Sequence, residues 1–470
     1  MAAITARTIE DGMIALERKT IDDLRGRLRG PLLLSGDSGY DEARKVYNGM
    51  IDRRPALIAR CAGASDVIAC VQFAREHHLL VSVRGGGHSV AGNAVCDDGL
   101  MIDLSSMRGI RVDPVGRKVR AEPGLTWGDF DRETQAFGLA TTGGLFSPTG
   151  IAGLTLGGGL GWLHGLHGLA CDNLLSADVV TADGRLLTAS DAENPDLFWA
   201  LRGGGGNFGI ATSLEYRLHP VGPVLAGELI YPIARAAEVL RFYREFLPGT
   251  PDALRTDIGV VTAPDGDLVI GIIPSYVGAI AEGERAVEPL RRLGPSADMV
   301  RPMTYLGLQT MLDELLPAGR RNYWKSSILP ALDDGAIETL IACGRASPSP
   351  TSLLTLEPIC GAASRVSPDA TAFPHRGDSY SLLLLATWTD PAATDRHIRW
   401  ARESWEAMQP FTAGRVYVNY LSDGEGRVLE AYGANYTRLA ALKTKYDPEN
   451  FFRVNQNIRP AAEGGGRSAA

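Results

Sequence analysis

One segment organises this chain: Val81-Ser82-Val83-Arg84-Gly85-Gly86-Gly87-His88-Ser89. The apolar residues at 79–83 predict a short buried strand. Glycine has no Cβ, so the three glycines that follow allow positive φ and let the backbone approach a ligand closely. Successive free N–H groups in such a turn form a nest for an anion such as a pyrophosphate. Because His88 stands at the mouth of this turn, the segment suggests a nucleotide cofactor held by its phosphates, with the imidazole as a candidate tether.

The bulk composition is that of a globular protein with more than one domain. The chain has 470 residues, of which 45% are hydrophobic and 22% charged, enough for two or three domains. The formal net charge is -8 and there is no block of like charges, which argues against a nucleic-acid partner. No apolar run approaches the length of a membrane span, so we expect no membrane contact. The six cysteines form no CxxC pair, which predicts reduced thiols and a cytoplasmic location.

Two further glycine-rich runs, at 141–173 and 201–209, accompany the first. Together the three loops could wrap one extended ligand. The last run formally satisfies GxGxxG between Gly204 and Gly209, but it follows a predicted helix and opens a predicted strand, whereas a dinucleotide fingerprint does the reverse. No lysine of the Walker type follows any of the runs. The sequence therefore excludes both a Rossmann fingerprint and a P-loop.

The distribution of glycine also predicts the domain organisation. The glycine runs end near Pro220, and strands alternating with helices continue to about Phe411. We expect a cofactor domain at 1–220, a substrate domain at 221–411, a segment at 412–460 that completes the first domain, and a disordered tail at 461–470. This pattern predicts an α+β protein.

Three motifs make a family recognisable. They are Arg84 to Ser89, then Thr149-Gly150-Ile151-Ala152-Gly153-Leu154-Thr155-Leu156-Gly157-Gly158-Gly159, then Leu201 to Gly209. With the tail Tyr417-Val418-Asn419-Tyr420 and Lys445 to Ile458, they resemble the berberine-bridge-enzyme-like FAD-linked oxidases, which are flavoproteins of the vanillyl-alcohol-oxidase type. The resemblance covers nearly the whole chain. It implies a two-domain PCMH-type FAD-binding fold with an inserted substrate domain of antiparallel sheet plus helices.

The resemblance also implies how FAD is held. His88 would carry a covalent bond to the flavin 8α-methyl carbon. Many relatives add a cysteinyl link four residues before the glycine that matches Gly150, but Phe146 stands there, so we expect a single tether. The other implied cofactor residues are Arg84, Gly85, Gly86, Gly87, Ser89, Thr149, Gly150, Gly153, Leu154, Gly157, Gly158, Gly159, Gly209, Ile210, Asn419, Asn455 and Asn457.

Three residues are candidates for catalysis. By resemblance Tyr417 acts as the base, on a predicted strand that it shares with Asn419. Since a free tyrosine has a pKa of about 10, a neighbour such as Lys325 should lower it; the alternative is a packing role. Glu357 could be a second base or a polar anchor, or an edge-strand residue that faces solvent. Tyr323 is a weaker candidate of the same kind, and we expect no metal site.

The function that follows is an FAD-dependent oxidase. It would take a hydride from an alcohol- or amine-type carbon of a small organic substrate, a secondary metabolite or a sugar, and reduce O2 to H2O2. The resemblance also implies that a small side chain near the oxygen site of the flavin favours the oxidase, and Thr149 matches that position. The alternatives are a dehydrogenase of the same fold that uses another electron acceptor, and a flavin-binding protein without catalytic activity.

Overall fold

A computed structural model describes residues 3–461, so most of the tail predicted to be disordered lies outside the described residues. The strands are β1 (Ile4–Arg7), β2 (Met13–Leu16), β3 (Leu32–Leu34), β4 (Leu57–Arg60), β5 (Val81–Arg84), β6 (Leu100–Asp103), β7 (Ile110–Asp113), β8 (Lys118–Ala121), β9 (Leu139–Ala140), β10 (Leu174–Val180), β11 (Leu186–Ser190), β12 (Ile210–Arg217), β13 (His219–Pro220), β14 (Val224–Ala226), β15 (Leu229–Pro232), β16 (Leu254–Thr262), β17 (Leu268–Val277), β18 (Ala297–Asp298), β19 (Arg301–Met303), β20 (Arg321–Leu329), β21 (Leu353–Ile359) and β22 (Ser379–Trp388). The α-helices are α1 (Arg18–Arg27), α2 (Tyr40–Ala43), α3 (Ala64–Glu76), α4 (Trp127–Gln135), α5 (Ile151–Leu156), α6 (His164–His167), α7 (Pro195–Leu201), α8 (Ala236–Phe246), α9 (Ile280–Arg292), α10 (Tyr305–Thr310), α11 (Asp334–Arg345), α12 (Ala362–Arg365), α13 (Thr394–Met408), α14 (Val428–Tyr432) and α15 (Tyr436–Tyr446).

The first glycine run follows the edge strand β5 of a small four-stranded sheet of order β3-β4-β6-β5, in which β4 and β5 both pair parallel to β6. The strand predicted at 79–83 forms at Val81–Arg84. It pairs with the fully buried strand β6 and ends directly before Gly85. The glycines therefore begin where the backbone leaves the sheet.

A five-stranded antiparallel sheet of order β11-β10-β12-β8-β7 forms the second layer of this half of the chain. Helix α7 precedes the Gly204–Gly209 run and β12 follows it, as predicted. Buried aromatic side chains of Trp127, Phe130 and Tyr216 pack edge to face in the core of this layer. Residues of the last segment, among them Val418 and Ile458, belong to the same core.

The largest sheet has nine antiparallel strands, all between Val224 and Trp388. Helices α8, α11 and α13 contact this sheet, and their apolar side chains share a buried cluster with its strands. Side chains alternate between the two faces of a strand. On β22, Leu382 and Leu384 therefore pack in the helix-covered cluster, while Leu383 and Leu385 face the other way.

These sheets and helices confirm the α+β fold class. The exact domain boundaries stay a prediction, although the nine-stranded sheet lies wholly within the predicted insert at 221–411. Within residues 3–461, no helix has both the length and the apolar character needed to cross a bilayer.

Candidate active site

One cavity is lined by residues of all three glycine-rich loops, of the free face of the large sheet and of the last segment of the chain. Thirteen of the predicted cofactor residues line it: Gly85, Gly86, Gly87, His88, Ser89, Thr149, Gly150, Gly153, Leu154, Gly209, Ile210, Asn419 and Asn455. No aspartate, glutamate, lysine or arginine of the described chain is among its lining residues. The walls are therefore neutral, and any charge on a ligand has to be met by hydrogen bonds.

The backbone amides of Gly85–Ser89 are suited to that task. Within the described residues none of these N–H groups has a hydrogen-bond acceptor. Consecutive backbone donors without an acceptor, here on the wall of a cavity, form a place where an anionic ligand can bind. Gly87 has φ of 70°, and a Cβ on Gly86 would lie 2.5 Å from the Cα of Gly150. The loops thus touch backbone to backbone, which fits the diphosphate of FAD.

Five predicted cofactor residues do not line the cavity. Arg84 donates a hydrogen bond to the carbonyl of Ala43 and faces away. Asn457 also lies outside the lining. The glycines at 157–159 serve packing: a Cβ on Gly157 would lie 2.0 Å from the Asn419 side chain, and one on Gly159 would lie 2.4 Å from a neighbouring alanine Cβ. A Cβ on Gly158 would meet the ring of Phe373 at 2.6 Å. Sequence reasoning could not separate these glycines from those that face a ligand.

His88 reaches the cavity as an uncharged ring. Its imidazole stacks on Tyr47 with ring centroids 3.9 Å apart and planes inclined by 19°. Burial lowers the pKa of His88 to about 4. The ring is therefore neutral at physiological pH, which is the form that can act as a nucleophile.

Tyr417 lines the cavity but does not lie on a strand, contrary to the prediction. It precedes a single 3-10 turn, Val418–Tyr420. Its hydroxyl oxygen accepts hydrogen bonds from Asn419 Nδ2 at 2.7 Å and from the amide of Gly159 at 3.0 Å. A third, longer bond comes from the amide of Leu160 at 3.4 Å. Burial raises the pKa of Tyr417, although these donors oppose the rise.

The neighbour expected to lower that pKa is elsewhere. Lys325 Nζ lies 2.9 Å from Glu425 Oε2. On β20, Lys325 and Tyr323 share a face, and the hydroxyl of Tyr323 accepts a hydrogen bond from Arg402 on α13 at 3.1 Å. The structure thus places Tyr323 and Lys325 on the helix-covered side of the sheet, while Trp324 between them lines the cavity. Tyr323 therefore does not line the cavity, since side chains alternate along a strand.

Sequence reasoning missed Tyr420, which also lines the cavity. Its hydroxyl donates to the carboxylate of Glu357, with distances of 2.9 and 3.0 Å to the two oxygens. Glu357 is 4% exposed and lies on β21, between β16 and β22, so it is not an edge residue in solvent. Tyr420 was within the quoted tail motif, but nothing in the sequence marked it as the partner of Glu357.

The electrostatics around Glu357 keep it poised between charged and neutral forms. Burial, with a smaller contribution from Asp257, raises the pKa of Glu357 to about 7, and Arg255 opposes the rise. Arg255 also forms an ion pair with Asp257, in which its Nη2 and Nε donate to the two carboxylate oxygens at 2.6 and 2.9 Å. Burial and the nearby Glu357 carboxylate raise the pKa of Tyr420. The hydroxyl of Tyr420 therefore stays protonated near neutral pH, and Glu357 is the member of this pair that can take up or release a proton there.

The two histidines after the second glycine run serve packing and hydrogen bonding. The buried ring of His164 contacts Arg255 Nη1 at 2.5 Å, and its Nε2 meets the carbonyl of Pro358 at 2.8 Å. His167 stacks on His219 with centroids 3.7 Å apart. Among the described residues no group of three or more acidic, histidine or cysteine side chains could hold a metal ion.

Comparisons with known proteins agree with this geometry. Residues 55–190 match the family model described as "FAD binding domain", and residues 416–459 match the one described as "Berberine and berberine like". An FAD-linked oxidoreductase of Dictyostelium discoideum is 31% identical over 92% of this chain and 95% of its own length. The (R)-6-hydroxynicotine oxidase of Paenarthrobacter nicotinovorans is 32% identical over 92% of this chain and 97% of its own.

Solved structures show the same architecture. The crystal structure of 6-hydroxy-D-nicotine oxidase from Arthrobacter nicotinovorans superposes with a TM-score of 0.86 at 32% identity, covering 92% of this chain and 98% of that one. A chitooligosaccharide oxidase superposes with a TM-score of 0.83 at 25% identity, covering 94% and 100%.

Proposed function

This chain belongs to the berberine-bridge-enzyme-like family of FAD-linked oxidoreductases, and we propose that it takes a hydride from an alcohol- or amine-type carbon of a small organic substrate. The observation that carries the proposal is the cavity itself. Unpaired amides that suit a diphosphate line one part, and Tyr420, hydrogen-bonded to a buried carboxylate, lines another. FAD supplies the acceptor for the hydride.

We assign the holding of FAD to a single covalent bond and to backbone amides. The neutral imidazole of His88 would be the nucleophile, and the unpaired N–H groups of Gly85–Ser89 would hold the diphosphate. No cysteine lines the cavity in the described part of the chain, and Phe146 lines it where many relatives have a second, cysteinyl link. This supports one tether.

We assign the base to Tyr420 rather than to Tyr417. A base takes the proton that leaves the substrate and must either keep it or transfer a proton to another group. Tyr420 can do this, because its hydroxyl donates a hydrogen bond to the carboxylate of Glu357, whereas Tyr417 has no such bond to a carboxylate in the described chain. The hydroxyl oxygen of Tyr417 accepts hydrogen bonds from three N–H groups, so its hydrogen is free to donate into the cavity. Its role would then be to orient a bound molecule.

The substrate that these walls favour is apolar or aromatic. On the sheet side the cavity is lined by Trp324, Leu383 and Leu385, with Leu145 and Phe146 nearby. Such walls bury hydrocarbon surface and offer few partners for the hydroxyl groups of a sugar. A secondary metabolite fits this lining better than a free sugar.

The electron acceptor that we propose is O2, reduced to H2O2. Thr149 lines the cavity, at the position that the family resemblance places near the oxygen site. Anaerobic reduction by a candidate substrate, followed by mixing with air in a stopped-flow spectrometer, tests this. Reoxidation within seconds supports an oxidase, while reoxidation over many minutes indicates a dehydrogenase. A flavin that no candidate substrate reduces would favour a protein without catalytic activity.

We also propose a cytoplasmic location. All six cysteines are unpaired in the structure, which suits a reducing compartment.

The tether has a direct test in the mass and colour of the purified protein. We expect the acid-precipitated wild type to carry the added mass of one FAD. The variant His88→Ala should bind FAD but release it in acid, because the nucleophile is gone while the amides of the glycine turn remain. Covalent flavin in this variant would overturn the assignment of His88, and a colourless wild type that takes up no FAD would overturn the proposed function.

A further inference from the structure

Tyr47 covers one face of the His88 ring without belonging to the glycine segment. The two ring centroids lie 3.9 Å apart at 19°, and Tyr47 is 5% exposed. Its ring also meets Trp324 edge to face at 6.5 Å. The stack is therefore buried between the first half of the chain and the large sheet.

The backbone of Tyr47 is fixed on both sides. Its N–H donates to the carbonyl of Gly87 at 2.9 Å, and its own carbonyl accepts from Gly319 at 2.9 Å. The next side chain, Asn48, donates to the carbonyls of Val90 and Asn322 at 2.8 and 2.9 Å. These bonds fix the backbone of the tyrosine against the histidine loop, and burial beside Trp324 restricts its ring.

Apart from a hydrogen bond with its own backbone, the His88 ring has no hydrogen-bond partner among residues 3–461. A histidine that carries out chemistry is usually oriented by a hydrogen bond to its second nitrogen. A face-to-face stack with a buried aromatic ring instead restricts the plane in which the imidazole lies. The stack on Tyr47 is the contact that sets the plane of this imidazole.

We propose that Tyr47 is a positioning residue for the covalent attachment of FAD to His88. The proposal rests on the proposed function, in which His88 is the tether. The new bond joins an imidazole nitrogen to the flavin 8α-carbon. The nitrogen gives up its proton and the methyl group gives up another. The two electrons remain on the flavin until O2 takes them up with two protons as H2O2. A nucleophile held in the attacking plane reacts faster than one that rotates.

The test compares attachment with binding in the full chain, produced under riboflavin limitation so that part of it lacks flavin. FAD is added at saturation in air, and covalent flavin is followed by fluorescence of acid-quenched samples on denaturing gels. Reversible binding is measured by FAD fluorescence. The variants are Tyr47→Phe and Tyr47→Trp, which keep an aromatic ring, and Tyr47→Met and Tyr47→Leu, which do not. His397→Leu is the control, because it removes a stacked ring, 4.7 Å from Trp388, outside the cavity.

We expect both non-aromatic variants to bind FAD but to attach it about 10-fold more slowly or worse, while the aromatic variants and His397→Leu stay within about twofold of the wild type. Attachment at the wild-type rate in Tyr47→Met or Tyr47→Leu would overturn the proposal. So would loss of FAD binding in both, which would assign Tyr47 to folding. A wild type without covalent flavin would instead show that the tether assignment itself is wrong.

Discussion

The two parts of the cavity that we propose for the diphosphate and for the substrate, called here the phosphate end and the substrate end, are built by different means. The phosphate end consists of backbone amides on glycine loops, and its lining carries no charged side chain. The substrate end consists of side chains on the free face of a sheet, with Tyr420 hydrogen-bonded to the buried Glu357. At the phosphate end, FAD binding should weaken when a glycine gains a Cβ, because the backbone itself makes the contacts. At the substrate end, flavin reduction should depend on single functional groups.

The largest effect is expected from Tyr420→Phe, which removes one hydroxyl from the substrate end. Without it the substrate proton has no route to Glu357, so flavin reduction should slow about 1000-fold while FAD stays bound. Tyr417→Phe should cost about 10-fold or less, since it removes only a donor. Tyr323→Phe, on the other face of the sheet, should have no measurable effect. Anaerobic stopped-flow measurement gives the rate of flavin reduction for all three variants. A larger fall in this rate in Tyr417→Phe than in Tyr420→Phe would assign the base to Tyr417.

A smaller effect is expected from Glu357→Gln, which keeps the shape of the side chain but not its charge. The pKa of Glu357 is about 7, so its carboxylate is protonated below that pH and ionised above it. Reduction by the wild type should therefore speed up as the pH rises through about 7 and level off above it.

In Glu357→Gln the rate should fall about 100-fold and lose this rise, because the amide cannot take a proton from Tyr420. Reduction rates between pH 5.5 and 9 check this. Glu338→Gln is the matched control, because its carboxylate is 73% exposed on α11. An unchanged pH profile in Glu357→Gln would assign the pH dependence to another group.

The smallest effect tests the phosphate end. In Gly86→Ala the added Cβ would lie 2.5 Å from the Cα of Gly150. The two loops must then separate, at a cost of about 1–3 kcal/mol, and FAD binding should weaken by up to about 100-fold. Titration of flavin-free protein with FAD measures the change, and Gly26→Ala on α1, where a Cβ meets nothing within 4 Å, serves as the control. Unaltered FAD affinity in Gly86→Ala would show that the loops do not need this contact.

Several parts of the site followed from the sequence because their cause is local. Free amides at a strand end come from the glycines themselves, and the strand before Gly85 and the order of helix and strand around Gly204–Gly209 were predicted correctly. The cofactor and the family followed from the order of these loops. By contrast, the tail from Tyr417 was predicted as a strand. In the structure a 3-10 turn, rather than the alternation of a strand, brings the side chains of Tyr417 and Asn419 into hydrogen-bonding contact.

The sequence by itself determined that the glycine loops would line one cavity and that His88 would lie among them, because a missing Cβ and a nearby imidazole act through the adjacent backbone. Only the tertiary structure decided which tyrosine meets a carboxylate and which face of the sheet reaches the cavity. Tyr420 and Glu357 are 63 residues apart. Their contact depends on how a single turn packs over the middle of a sheet, and one step along a strand, as between Tyr323 and Trp324, reverses the direction of a side chain.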